Sequence, residues 1–159
     1  MSAAASSGFA LRNNGSCLAT EVDCGVTVVP YHACCPAQSF CPSQYNVDVG
    51  SNCWTFQRLG VKANLALQCC PTSTNCTSTL LKDPQCANET WDLYDNGGYF
   101  CCEKGFTGYA AVDGSDGCAE PGYAFKSGQA RLPLVSAGQG NIFPLRVRLV
   151  KSDLTNAVI

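Results

Sequence analysis

Cysteine is the residue type with the most chemistry to offer in this chain, and its spacing is specific. Three doublets, Cys34-Cys35, Cys69-Cys70 and Cys101-Cys102, stand among the single cysteines Cys17, Cys24, Cys41, Cys53, Cys76, Cys86 and Cys118. Adjacent residues have Cα atoms about 3.8 Å apart, shorter than the roughly 4.4 to 6.8 Å of an unstrained disulfide. Neighbours within a doublet therefore seldom bond to each other. On an extended segment their side chains point to opposite faces, so each doublet is expected to staple one strand to material on both sides. The first two doublets are followed by Pro36 and Pro71, then by a short spacer leading to Cys41 and Cys76. Proline fixes a turn there and cannot continue a central ladder.

Zinc is the competing use of clustered cysteine, but its sites favour pairs about two to four residues apart, often with histidine. The sole histidine, His32, lies just before a doublet and is read as a solvated hairpin residue rather than a ligand or base. No metal and no cofactor is expected. Asp92, Asp95, Asp113 and Asp116 sit in turn-like segments without a general-base arrangement. The stretch "DGSDG" has the composition of a calcium loop without its ligand spacing. The expected protein is therefore not an enzyme.

Thirteen of the 159 residues are cysteine, near the level of about 8 to 10 % that marks disulfide scaffolds. Leu, Ile, Val and Phe together make up only about a fifth of the chain, close to the lower bound for a self-sufficient core. A chain of this kind needs staples, each contributing about 2 to 4 kcal/mol against a net stability of about 5 to 15 kcal/mol. Such bonds persist in oxidising compartments. Three N-glycosylation sequons agree with that: Asn14-Gly15-Ser16, Asn75-Cys76-Thr77 and Asn88-Glu89-Thr90. The start "MSAAASSGFALRNNG" lacks the apolar run of a signal peptide, so a leader trimmed from the chain or missed in its gene reading is expected. Net charge is -2 with no basic face, which argues against nucleic acid, and no apolar run approaches a membrane span.

The fold class implied is small and disulfide-rich, mostly β-hairpins and loops with little helix. Residues 1–16 read as a flexible leader, 17–125 as a cysteine-rich extracellular domain, and 126–159 as a Gly/Ser-rich tail. The clearest local element is "WDLYDNGGYFCC": aromatic runs flank Asp95-Asn96-Gly97-Gly98, where Asn-Gly suits a primed hairpin turn and Gly98 a bulge. "ATEVDCGVTVVPY" has strand composition, with Pro30 confining it to an edge.

One block fits poorly. Thirteen cysteines leave one without a partner, and Cys53 lies inside Val49–Gln68. Without that block, twelve cysteines remain and the repeat of doublet, spacer and single cysteine runs uninterrupted. The block opens on Val-Gly, so its first two nucleotides are GT, and closes on Gln, whose codon can end in AG. It is read as a retained intron or an insertion, with Cys53 the unpaired candidate. The basic-apolar end, "NIFPLRVRLVKSDLTNAVI", is read more weakly as read-through.

The segments "CCPAQSFCPSQYNVD", "CCPTSTNCT", "CANETWDLYDNGGYFCCEKGFTGYA", "SDGCAEPGYAF" and "LPLVSAGQ" together resemble a family of cysteine-rich secreted or cell-surface ectodomain proteins of filamentous fungi. The resemblance implies a signal peptide, a glycosylated ectodomain and, in many members, a Ser/Thr-rich stalk with a membrane anchor. The alternating doublets are also loosely similar to granulin modules. The Cys-Cys, five, Cys spacing occurs in hevein-like chitin-binding domains, but of their aromatic platform only Phe40 has a counterpart here, so chitin binding is not carried over.

The function these observations favour is an extracellular, disulfide-stabilised glycoprotein module with a structural or binding role at the cell surface or wall. The partners implied are cell-wall glycan or an extracellular protein. Tyr94, Tyr99 and Tyr109 are the expected binding surface, while Trp91 and Phe100 are expected to face inward as core. The alternative is a secreted effector, toxin-like or inhibitor protein, because Cys17 to Cys53 space like an inhibitor cystine knot.

Overall fold

The computed structural model describes residues 7–41 and 68–140. Ten short strands and a single turn of helix follow in chain order: β1 (Gly8–Phe9), β2 (Leu11–Asn14), β3 (Glu21–Val26), β4 (Tyr31–Pro36), β5 (Gln68–Cys69), α1 (Thr77–Leu80), β6 (Asp92–Asp95), β7 (Tyr99–Cys102), β8 (Thr107–Ala110), β9 (Asp116–Ala119) and β10 (Ala130–Arg131). Among the described residues the protein is a small disulfide-rich β fold with almost no helix. The strands form a five-stranded sheet in the order β3-β4-β2-β7-β6, a three-stranded sheet β10-β8-β9, and a two-stranded β1-β5 ladder.

The centre of the main sheet comes from the start of the chain. β2 pairs antiparallel with β4, Leu11 opposite Cys34, and parallel with β7, Leu11 opposite Cys101. Just upstream, Phe9 pairs with Gln68 of β5 on one side, while on the other its N–H donates to Gln85 O and its carbonyl accepts from Ala87 N–H. Backbone satisfied on both sides is what a central strand requires. Gly8 approaches so closely that a Cβ there would lie 2.3 Å from Ala87 N. The expectation of a flexible leader over residues 1–16 is thus corrected for Gly8 to Asn14: Phe9, Ala10, Leu11 and Arg12 are all buried, and their apolar surface has nowhere better to go.

The other end is corrected in the same sense. Residues 126–140, expected as tail, belong to the packed body. β10 pairs with β8, Arg131 opposite Tyr109, and the chain then runs along the outer edge of β6. Leu93 N–H donates to Ser136 O and Val135 N–H to Leu93 O, Gly138 N–H donates to Asp92 Oδ1 at 2.7 Å, and the Lys104 ammonium donates to Gly138 O. This strap covers an edge that would otherwise offer unpaired backbone groups. The opposite edge, β3, carries a register shift between Asp23 and Val26, and a bulge of that kind discourages further pairing.

β6 and β7 form the expected hairpin, Asp95 opposite Tyr99. Its turn differs from the expected primed type: Gly97 has φ of 74°, whereas Asn96 is not among the positive-φ residues. The Asp95 carboxylate accepts from Gly98 N–H at 3.0 Å, closing a three-residue loop that needs one left-handed residue rather than two. β3 and β4 form a second hairpin, with Val28, Val29 and Pro30 in the connection between them.

The core is built from few carbon side chains and much sulfur. Phe9, Leu11, Leu93 and Phe100 are fully buried together with all six doublet cysteines. Cys53 and the rest of the suspect block up to residue 67 lie outside the described residues, as do residues 141–159. Gln68, the last residue of that block, is buried in β5.

Candidate functional site

Six disulfides order the described residues: Cys17–Cys34, Cys24–Cys41, Cys35–Cys69, Cys70–Cys76, Cys86–Cys101 and Cys102–Cys118. In every doublet the two sulfurs diverge. Cys34 reaches back to Cys17 while Cys35 crosses to β5; Cys101 reaches Cys86 while Cys102 crosses to β9. Alternation of side chains along a strand produces that divergence.

The pairing does not follow an inhibitor cystine knot from Cys17 to Cys53. Such a knot would join Cys17 to Cys35, but Cys17 bonds Cys34, and a shift by one residue on β4 turns the bond to the other face. Two groups, Cys24 with Cys35 and Cys41, and Cys17 with Glu21 and Cys34, bring their ligand atoms within 4.8 Å of one another. Their sulfurs are already engaged in disulfides, which leaves no thiolate to hold a metal.

Of the three tyrosines expected as a binding surface, the structure buries two. Tyr94 stacks on Phe100, centroids 5.8 Å apart, and its hydroxyl donates to Phe106 O at 3.0 Å. Tyr109 is 8 % exposed. Tyr99 is half-buried against Phe9, centroids 5.1 Å apart. An aromatic ring in a chain with so little aliphatic surface contributes most by joining the interior. Trp91 and Phe100 also face inward.

Apart from the exposed Phe40 and the half-buried Tyr99 and Phe106, a cluster of partly exposed aromatic residues lies on the β10-β8-β9 sheet. β8 presents Tyr109. After β9 the chain makes two turns, Tyr123 N–H donating to Glu120 O and Gln129 N–H to Lys126 O, and the segment between them lays Tyr123 and Phe125 back over Tyr109. Tyr109 and Tyr123 stack with centroids 5.8 Å apart and planes 16° apart. Phe125 meets Tyr109 and Tyr123 edge to face. Arg131, the cross-strand neighbour of Tyr109, sets its guanidinium 4.5 Å from the Phe125 centroid. Tyr123 and Phe125 are half-buried and Arg131 is exposed.

This cluster is held from beneath. The Tyr31 and Tyr109 hydroxyls lie 3.2 Å apart, and Tyr31 donates to Cys118 O, so Tyr109 is oriented to donate to Tyr31. Burial raises the Tyr31 phenol well above its ordinary range and keeps it protonated. Gln129 Oε1 accepts from Tyr123 Oη at 3.2 Å and from Lys126 N–H at 2.8 Å. The Lys126 N–H must meet an oxygen, which fixes the amide orientation and leaves Nε2 as a donor facing no described acceptor.

The spacing Tyr123-Ala124-Phe125 is the signal that could have located this cluster, since alternate residues of an extended segment share a face. His32 Nδ1 lies 2.9 Å from Asp23 Oδ2 on the β3–β4 hairpin, part-exposed. The three sequon asparagines are surface residues: Asn14 and Asn75 are exposed and Asn88 is half-buried. Asn75 and Asn88 each accept from the backbone N–H and hydroxyl of the sequon threonine, Thr77 and Thr90. No helix among the described residues is long and apolar enough to cross a membrane. No family model, curated protein or solved structure matches the chain.

Proposed function

We propose that this chain is an extracellular glycoprotein module that acts at the cell surface or wall by binding or by forming structure, with no catalytic step of its own. The carrying observation is the disulfide framework: twelve cysteines engaged in six bonds, with the six doublet cysteines fully buried in the core. A framework on which the interior depends is useful only where thiols are oxidised. The sequon asparagines at the surface support the same compartment, and cell-wall glycan or an extracellular protein is the partner class.

The test is purification from the culture medium of a secreting host. Non-reducing peptide mapping is expected to return the six pairs, and endoglycosidase treatment to lower the mass of peptides carrying Asn14, Asn75 or Asn88. The folded protein is expected to co-sediment with insoluble wall polysaccharide or to capture an extracellular protein. Protein recovered with the twelve paired cysteines as thiols and a cooperative melt would overturn the reading.

A further inference from the structure

We propose that Tyr123, Phe125, Gln129 and Arg131 form a binding platform for a carboxylated sugar, such as the uronic acid residue of an acidic glycan. This rests on the surface-binding reading above and names the ligand class.

Three observations converge on it. Tyr123 and Phe125 are both partly exposed and packed together, whereas Phe9, Trp91, Tyr94, Phe100 and Tyr109 are buried. A pyranose offers a flat C–H face that packs on such a ring, and rings of this kind give contact area at low entropy cost. Arg131 is exposed, and among the described residues no carboxylate lies within ion-pair distance of it. Its guanidinium is held on Phe125 and its backbone by β8. A planar fork fixed in this way is prepared for two parallel hydrogen bonds to a carboxylate, with less freedom to lose than a swinging side chain. Finally, the donor Nε2 of Gln129, oriented by Tyr123 and Lys126, suits a ring hydroxyl. Stacking face, cation fork and amide donor together fit an acidic sugar better than a neutral one. They fit nucleic acid poorly, because a net charge of -2 provides no row of cations for successive phosphates.

The experiment titrates the full secreted protein with tetragalacturonate, followed by calorimetry and by the NMR signals of the Tyr123 and Phe125 rings. Neutral cellotetraose and the acidic peptide tetraglutamate serve as comparison ligands. Tetragalacturonate is expected to bind and to shift both rings, while cellotetraose binds at least about tenfold more weakly, as loss of a charge-assisted pair requires. Arg131→Gln is expected to lose that preference, and Arg131→Lys to retain part of it. The disulfide map and melting temperature of both variants should match the parent.

Absence of tetragalacturonate binding, or binding unchanged in Arg131→Gln, overturns the platform. Equal binding of tetraglutamate overturns the sugar class in favour of an acidic peptide. Sedimentation with wall material that survives Arg131→Gln overturns the platform while leaving the broader reading in place.

Discussion

Arg12 and Asp116 meet across the junction of the two larger sheets, the Arg12 Nε donating to Asp116 Oδ1 at 3.1 Å with both side chains almost wholly buried. The guanidinium also lies 5.8 Å from the Phe100 ring centroid. One partner stands on β2 and the other on β9, so this pair fastens the start of the chain to the smaller sheet.

Removing one partner leaves the other charge buried. Arg12→Ala or Asp116→Ala is expected to cost about 3 to 5 kcal/mol, measured by urea unfolding of the oxidised protein. Arg12→Met combined with Asp116→Leu is expected to cost less than either single change, because no orphan charge remains.

Asp113 and Asp116 should give stability profiles of opposite slope. Burial raises the Asp116 carboxyl above its ordinary value, with the Arg12 charge opposing. A raised folded-state value means its contribution is complete below the ordinary carboxylate range and is lost as pH rises through the folded value. The Ser115 hydroxyl and N–H lower Asp113, so its contribution is present above that range and is lost on acidification. The gap between parent and Asp116→Asn should therefore narrow from pH 3 to 6, roughly the window in which carboxylates titrate. The gap for Asp113→Asn should widen slightly, because that group is exposed and solvent screens it. Parallel profiles for the two variants would contradict this assignment.

The fold's legibility in the sequence divides by range. Doublets cannot close on themselves, so their divergence was readable from bond geometry, and the β6–β7 hairpin was readable from its turn residues and flanking aromatics. The central place of β2 was not. "FALRNN" is too short to show a period, it carries a charge, and the partner that makes burial of Arg12 tolerable lies 104 residues away. The same distance problem hid the strap, because a segment rich in Gly and Ser gives no sign of the edge it covers. Tyr94 and Tyr109 were misplaced as surface for a compositional reason: where aliphatic residues are scarce, aromatic rings become the interior. The candidate site was missed because Tyr123 and Phe125 lie between turns, where no strand pattern draws attention to them.

Shortening the excursion between Cys41 and Gln68 should leave the body intact. Phe40 and Cys70 exchange two backbone hydrogen bonds of 2.8 Å, so the chain leaves and returns at neighbouring points. Deleting residues 49–67 is expected to preserve all six disulfides and to raise stability by about 1 kcal/mol through cheaper loop closure. Loss of the Cys35–Cys69 bond in the peptide map would contradict this.

Removing Cys102–Cys118 by Ser substitution at both positions should cost about 3 kcal/mol, from a loop of 16 residues in the chain-entropy account. A matching drop in the urea midpoint, with the other five pairs still mapped, is the expected result.

Among the described residues no disulfide joins the set between Cys17 and Cys76 to the set between Cys86 and Cys118. Cleavage at a specific protease site placed over residues 81–83, which are exposed, should therefore yield two pieces. They are expected to separate on a denaturing non-reducing gel yet elute together under native conditions, held by the β2–β7 pairing and by Arg12 with Asp116. Co-migration on the denaturing gel would show a crosslink between the sets.

The position of β2 between β4 and β7 has a further consequence for biogenesis. A ribosome delivers Leu11 to Asn14 long before Tyr99 to Cys102, so the strand first made must wait for one of its two neighbours until most of the polypeptide has emerged. During that wait oxidation of the early cysteines proceeds on a half-assembled sheet. Any oxidant of these thiols thus meets a chain whose innermost strand still lacks one flank.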